Sequence, residues 1–397
     1  MGKHYKQYES EPILFFCVSY DTLTQAMILT HYGRLQLEFS IATIRQQDHS
    51  YCDPETAIRL STWTEAPDGQ RTHYEHPVVG DDPLTKERGL PVTVVAGMKD
   101  GPVLLLIAGE HGNEYESIIA LHEALRALDP TALRGKVVGV NCCSVDSYLY
   151  QSRVANADGQ NLARVYPGKA DGTLTERVAF TLQNDFLGQA APHKPTLLVA
   201  LHTFGPRLMG ATLSGYNIYP GEPSLSATQR QVSLQTGLPL VWGHEFDASH
   251  AAASVMGHEA SGRTALYGAF LAEIPAVYWE TAWGMGGEAE YIRGLFRLMV
   301  HLGMVDGENA PLEPREFIES VGHGAGLMSS HNQSPVAGLW RPTAAVWDRV
   351  LQGDLLGTVY DLYGDPAHEM RAQRDGVVIS VPKNQYLDAG THCGIVL

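Results

Sequence analysis

The sequence predicts an α/β fold followed by a small all-β domain, on two observations. Between residues 56 and 315, short apolar runs alternate with stretches of helical spacing, which is typical of a sheet with helices on both faces. Beyond residue 315, Gly and turn residues separate short apolar runs, which indicates short β-strands. We therefore predict an α/β domain at 56–315 and a β-rich domain at 316–397. Residues 1–55 show no clear period and form an N-terminal extension of unclear structure.

The predicted elements of the α/β domain follow from apolar runs and their spacing. The predicted strands are short apolar runs, the first two of which are bounded by Gly and Asp; they span residues 91–96, 103–108, 136–141, 196–201 and 276–279. The predicted helices carry apolar side chains at helical spacing; they span residues 117–128, 175–187, 226–237 and 288–302. Open α/β sheets place their sites in loops at the carboxyl ends of strands, so polar residues that follow these strands are candidates for function.

Charge and length narrow the class of protein. The 397 residues suggest more than one domain, and 44% hydrophobic content supports a sizeable core. The formal net charge of −16 disfavours nucleic acid and anionic membranes as partners. A small anionic substrate stays possible, because local Arg residues can override the global field.

Cysteine usage and the absence of long apolar runs predict a cytoplasmic protein. The five cysteines are odd in number and form no CxxC pair. They therefore do not indicate a disulfide framework, which favours a reducing compartment. Apolar runs such as 103–108 fall far below the roughly 18 residues that a membrane-spanning helix needs. The apolar run at 13–18 is short and follows acidic residues, unlike a signal peptide.

The most informative local feature follows the strand 103–108, where His111 and Glu114 stand three residues apart at a strand-to-helix turn. An imidazole and a carboxylate at this spacing can share one metal ion, although a helix-entry His and a first-turn Glu would look the same. His202, directly after the strand 196–201, completes a His/Glu/His set. Catalytic zinc typically takes three protein ligands, often two His and one Glu, and leaves a position for water.

A hydrolase with such a site needs a general base, and Glu280 follows the apolar strand 276–279. Burial at the end of that strand would raise the pKa of Glu280 into a useful range, although an isolated Glu there would be unremarkable. Arg153 and Arg164 lie in a loop rich in Gly and Asp, where they could bind a carboxylate or an oxyanion, or could be solvated cations.

These residues occur in the order seen in the succinylglutamate desuccinylase/aspartoacylase family of the zinc carboxypeptidase superfamily, which the sequence resembles from about residue 85 to 397. The motifs that carry the resemblance are His111-Gly112-Asn113-Glu114, Arg153, Asn161-Leu162-Ala163-Arg164, Leu201-His202-Thr203 and Glu280. The resemblance implies a carboxypeptidase-like mixed sheet flanked by helices and a small C-terminal all-β domain.

The resemblance also implies a role for each residue and a substrate class. One Zn²⁺ per chain would be bound by three ligands, namely His111, Glu114 and His202. Glu280 would be the general base for a zinc-activated water, and Arg153 would polarise the scissile carbonyl. Arg164 and Asn161 would bind the substrate, which in this family is a small N-acyl amino acid or related amide that bears a carboxylate. Enzymes of this size are often homo-oligomers.

One departure from the family pattern concerns the substrate. The common family motif is Asp-Leu-Asn-Arg, and here Ala163 stands in place of the Asn. Ala163 cannot supply the side-chain amide that helps hold the substrate. The aromatic residues Tyr278, Trp279 and Trp283 suggest a ring-bearing wall near Glu280, unless they belong to the core.

Other classes fit the sequence less well. A serine hydrolase is disfavoured because the sequence contains no GxSxG motif. Its SxxK match at 380–383 contains a Pro, which excludes a helix there. A Rossmann oxidoreductase is disfavoured because no GxGxxG motif follows a predicted strand in this sequence. A carboxypeptidase-type peptidase and a non-catalytic binding protein that keeps the fold remain the alternatives.

Overall fold

The computed structural model describes the chain from residue 60 to residue 397, with gaps. The described residues are 60, 62–81, 83–188, 194–247, 249, 262–284, 286–322, 325–326 and 332–397. The predicted N-terminal extension at 1–55 lies outside them. They all belong to one unit, Cys52–Leu397. Within these residues, no helix is both long enough and apolar enough to span a bilayer.

A nine-stranded mixed sheet forms the centre of the α/β region. Its strands are β1 Gln70–His76, β2 Leu90–Ala96, β3 Lys99–Ala108, β4 Arg134–Val140, β5 Leu197–Leu201, β7 Leu213–Ile218, β8 Leu240–Glu245, β9 Ala276–Glu280 and β10 Glu316–Ser320. In spatial order they run β1-β2-β4-β3-β5-β9-β7-β8-β10. A short strand, β6 (Leu208–Gly210), lies outside this sheet and pairs with the β-rich region.

Three neighbouring parallel strands place the site. β3 pairs in parallel with β5, with Ala108 opposite Leu201, and β5 pairs in parallel with β9, with Leu201 opposite Trp279. Their carboxyl ends therefore meet at one edge of the sheet, and the residues that follow β3 and β5 lie beside the end of β9.

Helices cover both faces of the sheet, as predicted. Their bounds are α1 Pro83–Glu87, α2 Tyr115–Ala127, α3 Val145–Leu149, α4 Leu174–Thr181, α5 Pro223–Gln235, α6 Ala265–Leu271 and α7 Glu288–His301. A single π turn, Leu182–Phe186, extends α4, and a 3-10 turn lies at Leu162–Arg164. Residues of α2, α5 and α7 share one hydrophobic core, and residues of α4 and α6 share the other.

The two cores explain why the central strands are apolar throughout. Along β3, Leu105 and Ile107 face one core, while Leu104 and Leu106 face the other. A strand with both faces buried has no polar alternate positions, so it reads as a continuous apolar run.

The C-terminal region is all-β, as predicted, and packs directly on the α/β region. Its strands are β11 Gly338–Pro342, β12 Arg349–Val350, β13 Leu355–Tyr360, β14 Pro366–Arg371, β15 Gly376–Pro382, β16 Gln385–Leu387 and β17 Ile395–Val396. β15 pairs with β6, and Ile379 of β15 is packed in one core with Trp242 and Phe204 of the α/β region. The chain leaves the large sheet only after β10, since Glu316–Ser320 pairs in parallel with β8.

Candidate active site

His111, Glu114 and His202 come together at the edge where β3 and β5 end. All three are buried, and one ligand atom of each lies within 4.8 Å of the others. The Glu114 carboxylate lies between the two rings, with Oε1 2.7 Å from Nδ1 of His111 and Oε2 3.0 Å from Nδ1 of His202. A buried group of two imidazoles and one carboxylate could bind a metal ion, as the motif spacing predicted.

The turn that carries His111 and Glu114 depends on close backbone packing. At Gly112, a Cβ would lie 2.0 Å from the carbonyl carbon of Ser147 in α3, so no larger residue fits. Glu114 then directly precedes α2, and its Oε2 accepts a hydrogen bond from the backbone N–H of Thr203 (3.0 Å). That bond ties the turn after β3 to the end of β5.

The outward nitrogen of each histidine faces an oxygen acceptor. Nε2 of His111 lies 3.1 Å from Oδ1 of Asn161, and Nε2 of His202 lies 3.0 Å from Oε2 of Glu110. Asn161, for which the resemblance implies contact with substrate, is buried beside His111, and its Oδ1 also accepts from the backbone N–H of Ala163. Sequence reasoning gave Glu110 no role; its position directly before His111 was the only available signal.

Burial and charge set the protonation of this group. Burial opposes ionisation of Glu114, but the charges and hydrogen bonds of His111 and His202 outweigh it and hold the pKa of Glu114 well below its usual range. Burial also opposes the charged form of His202, yet the hydrogen bonds that its ring donates to Glu110 and Glu114 raise the pKa of His202 well above its usual value. A metal ion would therefore displace a proton from Nδ1 of His202.

Glu280 is the last residue of β9 and lines the cavity beside the histidines. Burial raises the pKa of Glu280 to about 7, although the charge of His202 acts in the opposite direction. Among the described residues, its Oε2 has no hydrogen-bond partner. A carboxyl group in this state can exchange a proton near neutral pH.

Arg153 and Arg164 line the same cavity as Glu280. Nη1 of Arg153 lies 3.2 Å from Oε1 of Glu114, and about half of the side chain is exposed. Nη1 of Arg164 donates to the carbonyl oxygen of Ala163 (2.7 Å). The structure thus brings both predicted arginines to the site, and Ala163 also lies in the cavity wall.

The site opens into two cavities that share Arg153, Arg164 and Glu280. The first runs past the end of β8, where sequence reasoning named no residue; its walls include Asn217, His244, Glu245, Phe246 and Asp247. The second lies between residues 203–208 and the β-rich residues 382–395.

Of the three aromatic residues near Glu280, one faces a cavity. Tyr278 lines the first cavity, and its hydroxyl lies 3.3 Å from Nε2 of His244. Trp279 is fully buried in the core, and Trp283 donates to the backbone of Asn113. The ring-bearing wall is therefore limited to Tyr278 among the three.

The chain is similar in sequence to a known family and to a characterised enzyme. Residues 100–262 match the family described as "Succinylglutamate desuccinylase/Aspartoacylase catalytic domain". The N-alpha-acetyl-L-2,4-diaminobutyric acid deacetylase of Halomonas elongata is 28% identical over 323 residues, which are 79% of this chain and 87% of that protein.

Solved structures of similar proteins share the fold. The product-bound ectoine utilization protein EutE (DoeB) of Ruegeria pomeroyi is 25% identical with a TM-score of 0.68, over 83% of this chain and 96% of that one. The succinylglutamate desuccinylase/aspartoacylase of Rhodobacter sphaeroides has a TM-score of 0.69 at 22% identity, over 83% of this chain and 95% of that one. The chain is therefore similar to the succinylglutamate desuccinylase/aspartoacylase family in residues 100–262, and it shares the fold of these solved structures.

Proposed function

We propose that this protein is a zinc-dependent amidohydrolase that removes the acyl group from a small N-acyl amino acid. One observation carries the proposal: a buried His/Glu/His group, a carboxyl group whose pKa is raised to about 7, and two arginines line or border the same cavity. These are the parts that hydrolysis of an unactivated amide needs, namely a metal site, a base and cations for oxyanions.

The donor set fits zinc. His111, Glu114 and His202 supply the three nitrogen and oxygen ligands that catalytic zinc commonly takes, and both histidines have an oxygen acceptor at Nε2. Bound there, Zn²⁺ would supply Lewis acidity to a water molecule and to the amide carbonyl. Asn161 acts in this proposal by supporting His111, in place of the contact with substrate that the sequence suggested.

Glu280 is the proton carrier of the proposed reaction. As a carboxylate it takes a proton from the attacking water, and as the acid it returns that proton to the leaving nitrogen. Its burial makes both forms accessible near pH 7.

The arginines have separate tasks. Arg153 borders Glu114 and has an exposed half that faces the cavity, so it stabilises the negative charge that develops on the carbonyl oxygen. Arg164 lies in the same wall and binds the substrate carboxylate, for which its planar fork is well suited.

The first cavity favours a substrate with a second amino group. Besides Arg164, Glu110 and Glu280, its wall contains two further carboxyl groups, those of Glu245 and Asp247. An N-acetylated diamino acid carries one carboxylate and one free ammonium, which matches this pairing of charges. The Halomonas relative is named for such a substrate, so N-α-acetyl-2,4-diaminobutyrate is the first compound to assay.

Metal analysis tests the zinc site. Protein purified without chelators or metal-affinity resin is expected to contain one zinc per chain, and His202→Ala is expected to contain none. A wild-type protein that neither holds zinc nor takes it up would contradict the proposal and favour a non-catalytic binding role.

Amine release tests the substrate. We expect hydrolysis of N-α-acetyl-2,4-diaminobutyrate with a higher kcat/KM than that of N-acetyl-2-aminobutyrate, which lacks the second amino group. In Glu245→Gln, this preference is expected to fall about tenfold, the usual worth of one charged hydrogen bond of ~1.5 kcal/mol. Each variant serves as its own control, because only the ratio of the two substrates is compared. An unchanged ratio would exclude Glu245 from recognition of the ammonium group.

A further inference from the structure

Glu110 is a buried carboxyl group that the proposed reaction does not use. It lies in the turn after β3, directly before His111, and is 2% exposed. Its Oε2 nevertheless contacts the other histidine, His202 directly after β5, at 3.0 Å from Nε2. The side chain therefore joins the ends of two neighbouring strands.

Two buried side chains interact with Glu110. Within the described part of the chain it forms an ion pair with His202, and it also interacts with the fully buried Tyr166, whose pKa is raised well above its usual range by burial and then by the charge and hydrogen bonding of Glu110. A buried carboxylate costs free energy unless it is paired, so the contact with His202 offsets part of this cost.

The contact determines which nitrogen of His202 carries the proton. A neutral imidazole has one N–H and one lone pair, and an acceptor at one nitrogen fixes the N–H there. Nδ1 faces Glu114 at 3.0 Å, and in the neutral ring that metal binding would require, Glu110 keeps the proton on Nε2 and leaves the lone pair on Nδ1. His111 is held in the same sense, but by the neutral amide oxygen of Asn161.

We propose that Glu110 is a positioning residue that holds the proton of His202 on Nε2 and so directs Nδ1 to the metal ion. This inference rests on the proposed zinc site. Glu110 acts through His202 and is outside the His/Glu/His group, although it lines the first cavity. His202 donates its Nε2–H to a carboxylate, whereas His111 faces a neutral amide oxygen. Glu110 therefore also makes His202 the stronger metal ligand of the two histidines.

Zinc affinity is the readout that tests this role. In Glu110→Gln, the amide can offer Nε2 a donor as readily as an acceptor, so the tautomer is no longer fixed. We expect the zinc dissociation constant, measured by competition with a chromophoric chelator, to rise about 10- to 100-fold, as for other partners of metal-ligating histidines. Thermal unfolding of the metal-free protein reports separately on any structural role.

A matched control is available in Glu116→Gln. Glu116 is also buried, but its Oε1 accepts from the backbone N–H of Gly284 and not from one of the two histidines. Its zinc affinity is expected to stay within twofold of wild type. If Glu110→Gln does not fold, Glu110→Asp, which withdraws the carboxylate by one methylene, is expected to weaken zinc binding in the same direction.

The outcomes separate the two proposals. Wild-type protein that binds no zinc would remove the zinc-dependent function itself. Wild-type protein that binds zinc, together with a folded Glu110 variant of equal affinity, would overturn only the role of Glu110.

Discussion

Glu280 illustrates how the chemistry of this site depends on the surroundings of single residues. A Glu at the end of a strand is ordinarily ionised at neutral pH, but burial raises the pKa of Glu280 to about 7. The Glu114 carboxyl is also fully buried, yet the two histidines that flank it hold its pKa well below the usual range. Two carboxyl groups at one edge of the sheet therefore have pKa values shifted in opposite directions. Of the two, Glu280 is the one suited to carry a proton.

Glu280→Gln tests the general base directly. The amide keeps the shape of the side chain but cannot accept the proton, so kcat is expected to fall at least ~100-fold. Zinc content, measured by elemental analysis, should stay at one per chain, because Glu280 is outside the His/Glu/His group. Near-normal turnover in this variant would remove Glu280 from the mechanism.

The pH dependence of kcat/KM gives a second test of Glu280 as the general base. The base works only when deprotonated, so kcat/KM is expected to fall as the pH drops through the pKa of Glu280, with a slope of one. The positive charge of a bound zinc ion lowers that pKa, which places the acid limb at or below about pH 7. Stopped assays from pH 5 to 9 would show the limb in the wild type; a flat profile across this range would contradict the assignment.

At the scale of elements, the turn between β3 and α2 is the part whose geometry the site depends on most. His111 and Glu114 can face one point only because Gly112 lets the turn pack against the backbone of α3. The Thr203 N–H then fixes Glu114 from the neighbouring strand.

Gly112→Ala is expected to disrupt this packing. The added Cβ would lie 2.0 Å from the carbonyl carbon and 2.1 Å from the amide nitrogen of neighbouring residues in α3, and these backbone atoms cannot move independently. We expect a loss of ~2 kcal/mol or more in the free energy of unfolding of the metal-free protein in urea, together with weaker zinc binding. The control is Gly205→Ala, where a Cβ would meet no atom within 4 Å. Equal stability of the two variants would show that the turn tolerates a side chain.

Sequence patterns predicted some strands of the large sheet and not others. The five predicted strands correspond to β2, β3, β4, β5 and β9, whose continuous apolar runs mark strands buried on both faces. The strands β1, β7, β8 and β10 were not predicted. β1 is an edge strand with alternating exposed residues, and β7 and β8 end in polar residues such as Asn217 and His244 that face the first cavity.

For the whole molecule, the decisive feature is the contact between the α/β region and the β-rich region. β6 pairs with β15, and the backbone N–H of Ala211 donates to the carbonyl of Ile379 (2.8 Å). Ile379 is fully buried in a core that both regions share. Because the second cavity lies between these regions, its shape depends on their contact.

Ile379→Ala tests whether the two regions unfold together. Removal of three buried carbons from the shared core is expected to cost about 2–5 kcal/mol of unfolding free energy. Calorimetry should show one transition at a lower temperature, with loss of activity at that same temperature. Leu362→Ala, at a position 99% exposed, is the control and is expected to change stability by less than about 0.5 kcal/mol. Two separate transitions in the wild type would contradict a cooperative unit.

The sequence alone determined the fold class and the residues that follow the central strands. Apolar runs and motif spacing depend on neighbours in the chain, so they identified β3, β5 and β9 and drew attention to His111, Glu114, His202 and Glu280. The same reasoning identified Arg153 and Arg164 as candidates, and both line the cavity.

Only the tertiary structure decided which of these residues support one another. Glu110 contacts His202 across two strands instead of its neighbour His111, and Asn161 supports His111 from a loop 50 residues away. Glu245 reaches the cavity because β8 lies two strands from β9. Such contacts depend on the order and register of strands that are distant in the chain. A local pattern holds no information on that order, because it is set by the packing of the whole sheet.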